Sequence, residues 1–162
     1  MIKSSRRAAL LGTILVCCVS CDQATKSVAT TELAGQLPIS LLGDTVRLSY
    51  AENPGEFLSI GAGLPDWIRV WVFGALAIAA VVALFAVAIR NRSIDRLQLV
   101  AVSLLIAGGV GNIIDRVMYG VVRDFLNVGV GSFRTGVFNV ADFAITVASA
   151  LLVMRFWKGR VR

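Results

Sequence analysis

The sequence predicts an all-α membrane protein with four transmembrane helices and a small strand-rich cap between helices one and two. Of the 162 residues, 57% are hydrophobic and only 16% are charged, whereas soluble globular proteins have about 45 to 50% and about 25%. Four apolar stretches are also close to the length of about 20 residues that a helix needs to cross a bilayer. We therefore expect one integral membrane domain that covers residues 1–162.

The four spans and their orientation follow from hydropathy and from the positions of the basic residues. The spans are predicted over residues 8–28, 67–89, 97–114 and 138–157. Three Lys and Arg residues precede the first span, three lie between the second and the third, and four lie at the end of the fourth span or after it, from Arg155 to Arg162. Because basic residues flank spans on the cytoplasmic side, both termini are expected in the cytoplasm. These residues form no continuous basic stripe, so a nucleic-acid partner is not expected.

The first span is expected to be an uncleaved anchor that leads into the cap. Residues 19–21 faintly resemble a lipoprotein cleavage box at Cys21, but cleavage there would separate Asp22 and all later spans from the first helix. Beyond this span, residues 37–49 alternate imperfectly between apolar and polar, and residues 51–55 carry turn signals. Alternation bounded by turns is typical of strands, so a strand-rich cap is predicted on the outer membrane surface.

Two charged residues at the end of the first span, Asp22 and Lys26, are costly in a membrane. A charged side chain at the centre of a spanning helix costs about 2.5 to 3.5 kcal/mol on insertion scales. Their i, i+4 spacing allows the two side chains to pair on one helix face. They are either a group that orients a ligand at the membrane boundary or a surface ion pair in which Lys26 reaches toward water.

The third and the fourth span each carry an Asn-x-x-Asp pattern near the outer boundary. Asn112 and Asp115 share one helix face, as do Asn139 and Asp142, because residues at i, i+3 project the same way. The glycines within 108–111 permit close helix contact, and no strand precedes them, which argues against a nucleotide-binding loop. Either these side chains fix the bundle by interhelical hydrogen bonds, or they form a site. Two such patterns at one depth favour a site.

Carboxylates are the best candidates for hydrolytic chemistry, since the sequence has no His and its three Cys lie in the first span. Three acids compete to form a pair. Asp115 is followed by Arg116, and a salt-bridged carboxylate suits a structural role. Asp124 and Asp142 lie among apolar residues. Two carboxylates brought together there can share one proton, so that one activates water and the other protonates the substrate oxygen, as in aspartic proteases.

Five segments that cover most of the chain carry a family resemblance, namely residues 22–26, 53–55, 108–116, 122–125 and 138–142. In this order and spacing they resemble lipoprotein signal peptidase (signal peptidase II), a bacterial family of aspartyl intramembrane proteases with four helices. The resemblance implies an endopeptidase that removes signal peptides from prolipoproteins by cleaving the amide bond before the diacylglyceryl-modified Cys. The implied location is the outer face of the bacterial cytoplasmic (inner) membrane.

The resemblance also implies partners and roles for individual residues. Diacylglyceryl-modified prolipoproteins and membrane lipid would be the partners, with no cofactor, no metal and a monomeric state. Asp124 and Asp142 would be the catalytic pair. The substrate-binding or orienting residues would be Asp22, Lys26, Asn53, Gly55, Asn112, Asp115, Arg116, Asn139 and Ala141.

Two departures from the family's pattern and one alternative function accompany this interpretation. Glu56 and Phe57 replace two small residues of the first outer loop, which affects how that loop covers the substrate and how family inhibitors fit. Arg123 stands where an apolar residue is more usual and is expected to affect the pKa of Asp124. The alternative is a small proton- or ion-handling membrane protein. A relay of that kind needs polar groups through the whole bilayer, whereas the inner halves of all four spans are almost wholly apolar.

Overall fold

The computed structural model describes residues 4–54 and 66–160 and consists mainly of helices. The chain forms four helices and four strands in the order α1, β1, β2, α2, α3, β3, β4, α4. The helices are α1 (Ser4–Leu33), α2 (Asp66–Arg90), α3 (Arg96–Tyr119) and α4 (Val140–Arg160), and the strands are β1 (Ile39–Leu41), β2 (Val46–Asn53), β3 (Val122–Val130) and β4 (Phe133–Arg134).

Three helices are long and apolar enough to cross a membrane within the described part of the chain. They are α1, α3 and α4, and α2 contributes a shorter apolar segment over Gly74–Arg90. Two helices extend beyond their predicted outer ends, because α1 continues past residue 28 to Leu33 and α3 past residue 114 to Tyr119. Helix α3 then ends at Gly120, whose φ of 77° is the left-handed conformation common after a helix.

Helix α3 contacts each of the other three helices, and its glycines make the close approaches possible. A Cβ on Gly108 would lie 2.5 Å from the carbonyl oxygen of Ala141 in α4. A Cβ on Gly109 would lie 2.5 Å from a methyl group of Val81 in α2. At both positions a larger residue would force neighbouring atoms to move, so the small residues fix how closely the helices pack.

The strands form one antiparallel sheet in the order β1-β2-β3-β4. The predicted cap between the first two helices contributes only β1 and β2, whereas β3 and β4 come from the loop between α3 and α4. The prediction of a turn over residues 51–55 is wrong for residues 51–53, because they continue strand β2 and pair with β3. The cross-strand pair Ala51 and Asp124 brings the connection between α1 and α2 beside a predicted catalytic residue.

Basic residues at the other end of the bundle bind helix termini. Arg7 is buried and donates hydrogen bonds to the carbonyl oxygens of Ala88 at 3.1 Å and Asn91 at 2.9 Å. These bonds cap the C-terminal end of α2. Asp95 caps the start of α3 and accepts a hydrogen bond from the Nε of Arg155 at 2.6 Å. The flanking basic residues used to predict orientation therefore also stabilise the helix ends.

Candidate active site

Asp124 and Asp142 are brought together by Asn139, which lies at the start of α4. The Asn139 Nδ2 donates to Asp124 Oδ1 at 2.6 Å. The Asn139 Oδ1 accepts from the backbone nitrogen of Asp142 at 2.9 Å, and the backbone nitrogen of Asn139 lies 3.4 Å from Asp142 Oδ2. This reciprocal pattern is a capping box. Asn139 thus starts the helix and contacts both carboxyl groups, that of Asp124 through its side chain and that of Asp142 through its backbone nitrogen.

Asn112 of α3 holds the second carboxyl group from the opposite side. Its Nδ2 donates to Asp142 Oδ1 at 2.7 Å, and its Oδ1 accepts from the Nδ2 of Asn139 at 3.1 Å. The two Asn-x-x-Asp patterns therefore contact each other through Asn112, Asn139 and Asp142. Asn53 of β2 adds a donor from the connection between α1 and α2, with its Nδ2 at 3.4 Å from Asp124 Oδ2.

The two carboxyl groups have different surroundings. Asp124 is only 3% exposed, whereas Asp142 is half-buried. Burial raises the pKa of Asp124 to about 6, and the negative charge of Asp142 acts in the same direction. Hydrogen bonds from Asn139 and Asn53 stabilise the ionised form but do not cancel these effects. A carboxyl group with such a pKa can hold a proton near neutral pH, as acid catalysis requires.

Asp22 and Lys26 belong to a buried ionic network behind the pair of carboxyl groups. Both residues have 0% exposure, so the interpretation of a surface ion pair is wrong. Lys26 Nζ lies 2.8 Å from Asp22 Oδ2, 3.3 Å from Asp115 Oδ2 and 3.0 Å from Asn112 Oδ1. Asp22 Oδ1 accepts from the backbone nitrogen of Ala141 at 2.9 Å. Through these contacts α1 fixes Asn112 and the first turn of α4.

Asp115 forms salt bridges, but not with Arg116, so the partner predicted from the sequence was wrong. Its carboxylate contacts Lys26 and Arg123, and it accepts from the Nε2 of Gln23 at 3.1 Å. Arg116 instead places its NH1 3.5 Å from the carbonyl oxygen of Asn112, and its positive charge acts on Asp142 and Asp124.

Gly55, together with Glu56 and Phe57, lies outside the described residues. Gln23 of α1 was absent from the predicted site, although it connects α1 to both α3 and β3. Its Nε2 lies 3.1 Å from the carbonyl oxygen of Gly111 in α3, and its Oε1 accepts from Arg123 NH2 in β3 at 3.2 Å. A polar residue beside Asp22 within a spanning segment was the available signal.

Comparison with known proteins identifies the family of the chain. The sequence profile of a family described as "Signal peptidase (SPase) II" matches residues 14–158. The chain belongs to the signal peptidase II family. Signal peptidase II is an aspartic-type protease, so the expected family and enzyme class are confirmed. The apolar helices fit the multi-pass inner-membrane location of a signal peptidase II.

Named relatives and solved structures agree with this membership of the signal peptidase II family. The "Lipoprotein signal peptidase" of Hydrogenovibrio crunogenus is 35% identical over 137 residues, which cover 84% of this chain and 78% of that protein. That of Salmonella typhi is 37% identical over 119 residues, covering 70% and 71%. Two structures described as bacterial membrane enzymes are each 27% identical. The first has a TM-score of 0.80, and the match covers 90% of this chain and 91% of that chain. The second has a TM-score of 0.78, and the match covers 91% of this chain and 87% of that chain.

Proposed function

We propose that this enzyme removes signal peptides from prolipoproteins by cleaving the amide bond before the diacylglyceryl-modified Cys, with Asp124 and Asp142 as its catalytic pair. Membership of the signal peptidase II family supports the removal of signal peptides from prolipoproteins. The observation that carries the assignment of the pair is the contact of Asn139 with both carboxyl groups. A proton- or ion-handling function has less support, because long segments of the four helices carry no charged residue, namely residues 8–21, 74–89, 97–114 and 143–154.

The geometry supports a division of roles between the two carboxyl groups. Asp124, whose pKa is raised to about 6, holds the shared proton, and the half-buried Asp142 acts as the base. Asp142 takes a proton from water as the water oxygen attacks the carbonyl carbon, and Asp124 gives its proton to the carbonyl oxygen. When the tetrahedral intermediate collapses, the carbon–nitrogen bond breaks. Asp142 then gives its proton to the leaving nitrogen, and Asp124 recovers one from the hydroxyl group.

Four membrane spans with both termini in the cytoplasm are part of the proposal. The support comes from α1, α3 and α4 as long apolar helices and from α2, which covers Asp66–Arg90. The basic residues lie before α1, between α2 and α3 and at the end of α4. With this side in the cytoplasm, the start of α4 and its Asp142 lie at the outer membrane boundary.

The diacylglyceryl group is proposed to act mainly by position. Apolar helix walls offer an acyl chain little hydrophobic gain over the surrounding lipid. An anchored Cys, however, would present the scissile amide bond at the depth of the carboxyl pair, and orientation of this kind lowers the barrier. Asn53, Asn112, Arg116 and Asn139 would orient the extended backbone, while the buried Asp22 would act through Lys26 and Ala141. All these groups belong to one chain, so a monomer would suffice.

The test compares one prolipoprotein peptide with and without diacylglyceryl on its Cys, in detergent and in bilayers, with cleavage followed by mass spectrometry. We expect the modified peptide to be cut directly before the Cys. The unmodified peptide should be cleaved at least about a hundredfold more slowly, equivalent to roughly 2.7 kcal/mol in the transition state. Equal rates, or cleavage at another bond, would contradict the proposed substrate recognition.

A further inference from the structure

Arg123 lies next to Asp124 in β3, but its side chain extends to the opposite face of the strand and binds Asp115. Its NH2 lies 2.8 Å from Asp115 Oδ1, and its Nε lies 3.3 Å from Asp115 Oδ2. The backbone nitrogen of Arg123 also donates to Asp115 Oδ2, at 2.9 Å. One residue therefore directs three donors at a single buried carboxylate.

Further contacts fix Arg123 on its remaining sides. Its NH2 donates to the Oε1 of Gln23 at 3.2 Å, and its guanidinium carbon lies 4.1 Å from the ring centroid of Tyr119. Its carbonyl oxygen lies 3.4 Å from the Nδ2 of Asn139, the same nitrogen that donates to Asp124. Since Arg123 is only 6% exposed, solvent screens its charge weakly. The position of Asp124 is thus coupled to the ionic network.

The charge of Arg123 completes a balance within that network. Asp22 and Asp115 carry two negative charges, and Lys26 and Arg123 carry two positive ones; all four side chains are buried. Without Arg123 the network would keep two carboxylates for one ammonium group. The uncompensated negative charge would lie directly behind the catalytic pair, where it would favour protonation of the pair.

We propose that Arg123 is a positioning residue that keeps the buried network neutral and thereby sets the pH range in which Asp124 and Asp142 cleave the substrate. This inference rests on the proposed function of the two residues. Several other charged or titratable groups face the carboxyl pair or the network, and they are unchanged in the test. They are Asp22 and Lys26 of α1, Tyr50 and Glu52 of β2, and Asp115, Arg116 and Tyr119 of α3.

The test measures kcat/KM against pH for Arg123→Gln and Arg123→Lys with the lipidated prolipoprotein peptide. Glutamine removes the charge, so both limbs of the profile should move to higher pH by about one unit. This size corresponds to a unit charge on the order of 10 Å away at an effective dielectric constant of about 20. Lysine keeps the charge but loses the forked geometry, so its limbs should stay close to those of the parent enzyme while kcat falls.

A matched control removes a different arginine of the sheet. Arg134 is also partly buried, and its NH1 donates to the carbonyl oxygen of Asp44 at 2.7 Å, but it has no contact with the network in the described structure. Arg134→Gln should therefore leave both limbs in place. If Arg123→Gln does not fold, the double variant Arg123→Gln with Asp115→Asn removes opposite charges together, and its limbs should stay at the parent positions.

Two results would overturn the inference. One is an unshifted pH profile for a folded Arg123→Gln enzyme, and the other is an equal shift in Arg134→Gln. Asp124→Asn and Asp142→Asn, measured in parallel, separate this failure from failure of the proposed function. If both are inactive while Arg123→Gln is unshifted, only the role of Arg123 is refuted. If either aspartate variant remains active, the catalytic pair itself is refuted.

Discussion

Replacement of Asp115 by Asn tests whether the buried network stabilises the fold or takes part in the chemistry. Asp115 has 0% exposure, and its carboxylate contacts Lys26 at 3.3 Å and Arg123 at 2.8 Å. Asparagine keeps the shape but leaves the buried positive charges without their shared partner. Removal of one member of a buried ion pair costs about 3 to 5 kcal/mol. That loss corresponds to a fall of roughly 10 °C in the unfolding midpoint of a protein of this size.

The measurement combines thermal unfolding in detergent with cleavage of the lipidated peptide, expressed per folded molecule. Asp115→Asn should lower both the protein level and the unfolding midpoint, and the folded fraction should retain measurable activity. Asp95→Asn is the matched control, because Asp95 pairs with Arg155 at a site where both side chains are about 40% exposed. Exposed pairs contribute about 0 to 1 kcal/mol, and asparagine is an equally good helix cap.

One outcome for Asp115 would contradict a purely structural role. A fully stable but wholly inactive Asp115→Asn enzyme would give Asp115 a direct role in catalysis. The double variant with Arg123→Gln provides a further check, because it removes both members of the salt bridge. Its loss of unfolding free energy should be smaller, by about 0.5 to 3 kcal/mol, than the sum of the losses in the two single variants.

Three further predictions concern pH, packing and orientation. Because the pKa of Asp124 is raised to about 6, its protonated form is lost above that pH. The upper limb of the pH profile of kcat/KM should therefore lie near pH 6. An upper limb far from this value would contradict the assignment of Asp124 as the acid. Gly108→Ala should lower the unfolding midpoint because its Cβ would lie 2.5 Å from a carbonyl oxygen of α4, whereas Gly74→Ala, with no such neighbour within 4 Å, should not; equal effects would refute the packing argument. In a background without the three native Cys, a Cys at Ser132 should react only with reagents added outside and one at Ser93 only with those added inside; the reverse pattern would refute the orientation.

Local patterns in the sequence predicted much of the site. The i, i+4 spacing of Asp22 and Lys26 predicted their pairing, and the two Asn-x-x-Asp patterns placed Asn112 and Asn139 on faces that meet. Such predictions succeed because the helical repeat fixes which side chains share a face. Hydropathy likewise predicted the long helices, although α1 and α3 continue beyond the apolar stretches because polar turns at their C-terminal ends remain helical.

The remaining features depend on contacts between distant segments. Nothing local in β2 specifies that Ala51 lies opposite Asp124, because strand pairing at long sequence separation depends on how the helices between them pack. The partner of Asp115 was missed for the same reason. Its sequence neighbour Arg116 projects from a different part of the helix, while Arg123 reaches it from β3 after the chain has turned at Gly120.

Asp124 and Asp142 together are proposed to carry out the cleavage. The most direct measurement is the turnover of one diacylglyceryl-modified prolipoprotein peptide by the parent enzyme, Asp124→Asn and Asp142→Asn, with the unfolding midpoint of each recorded. Asparagine keeps the shape of each side chain but cannot exchange a proton as a carboxyl group does. Both variants should fold, and each should lose at least about a thousandfold in turnover. Near-normal cleavage by either folded variant would contradict the assignment of the two aspartates as the catalytic pair.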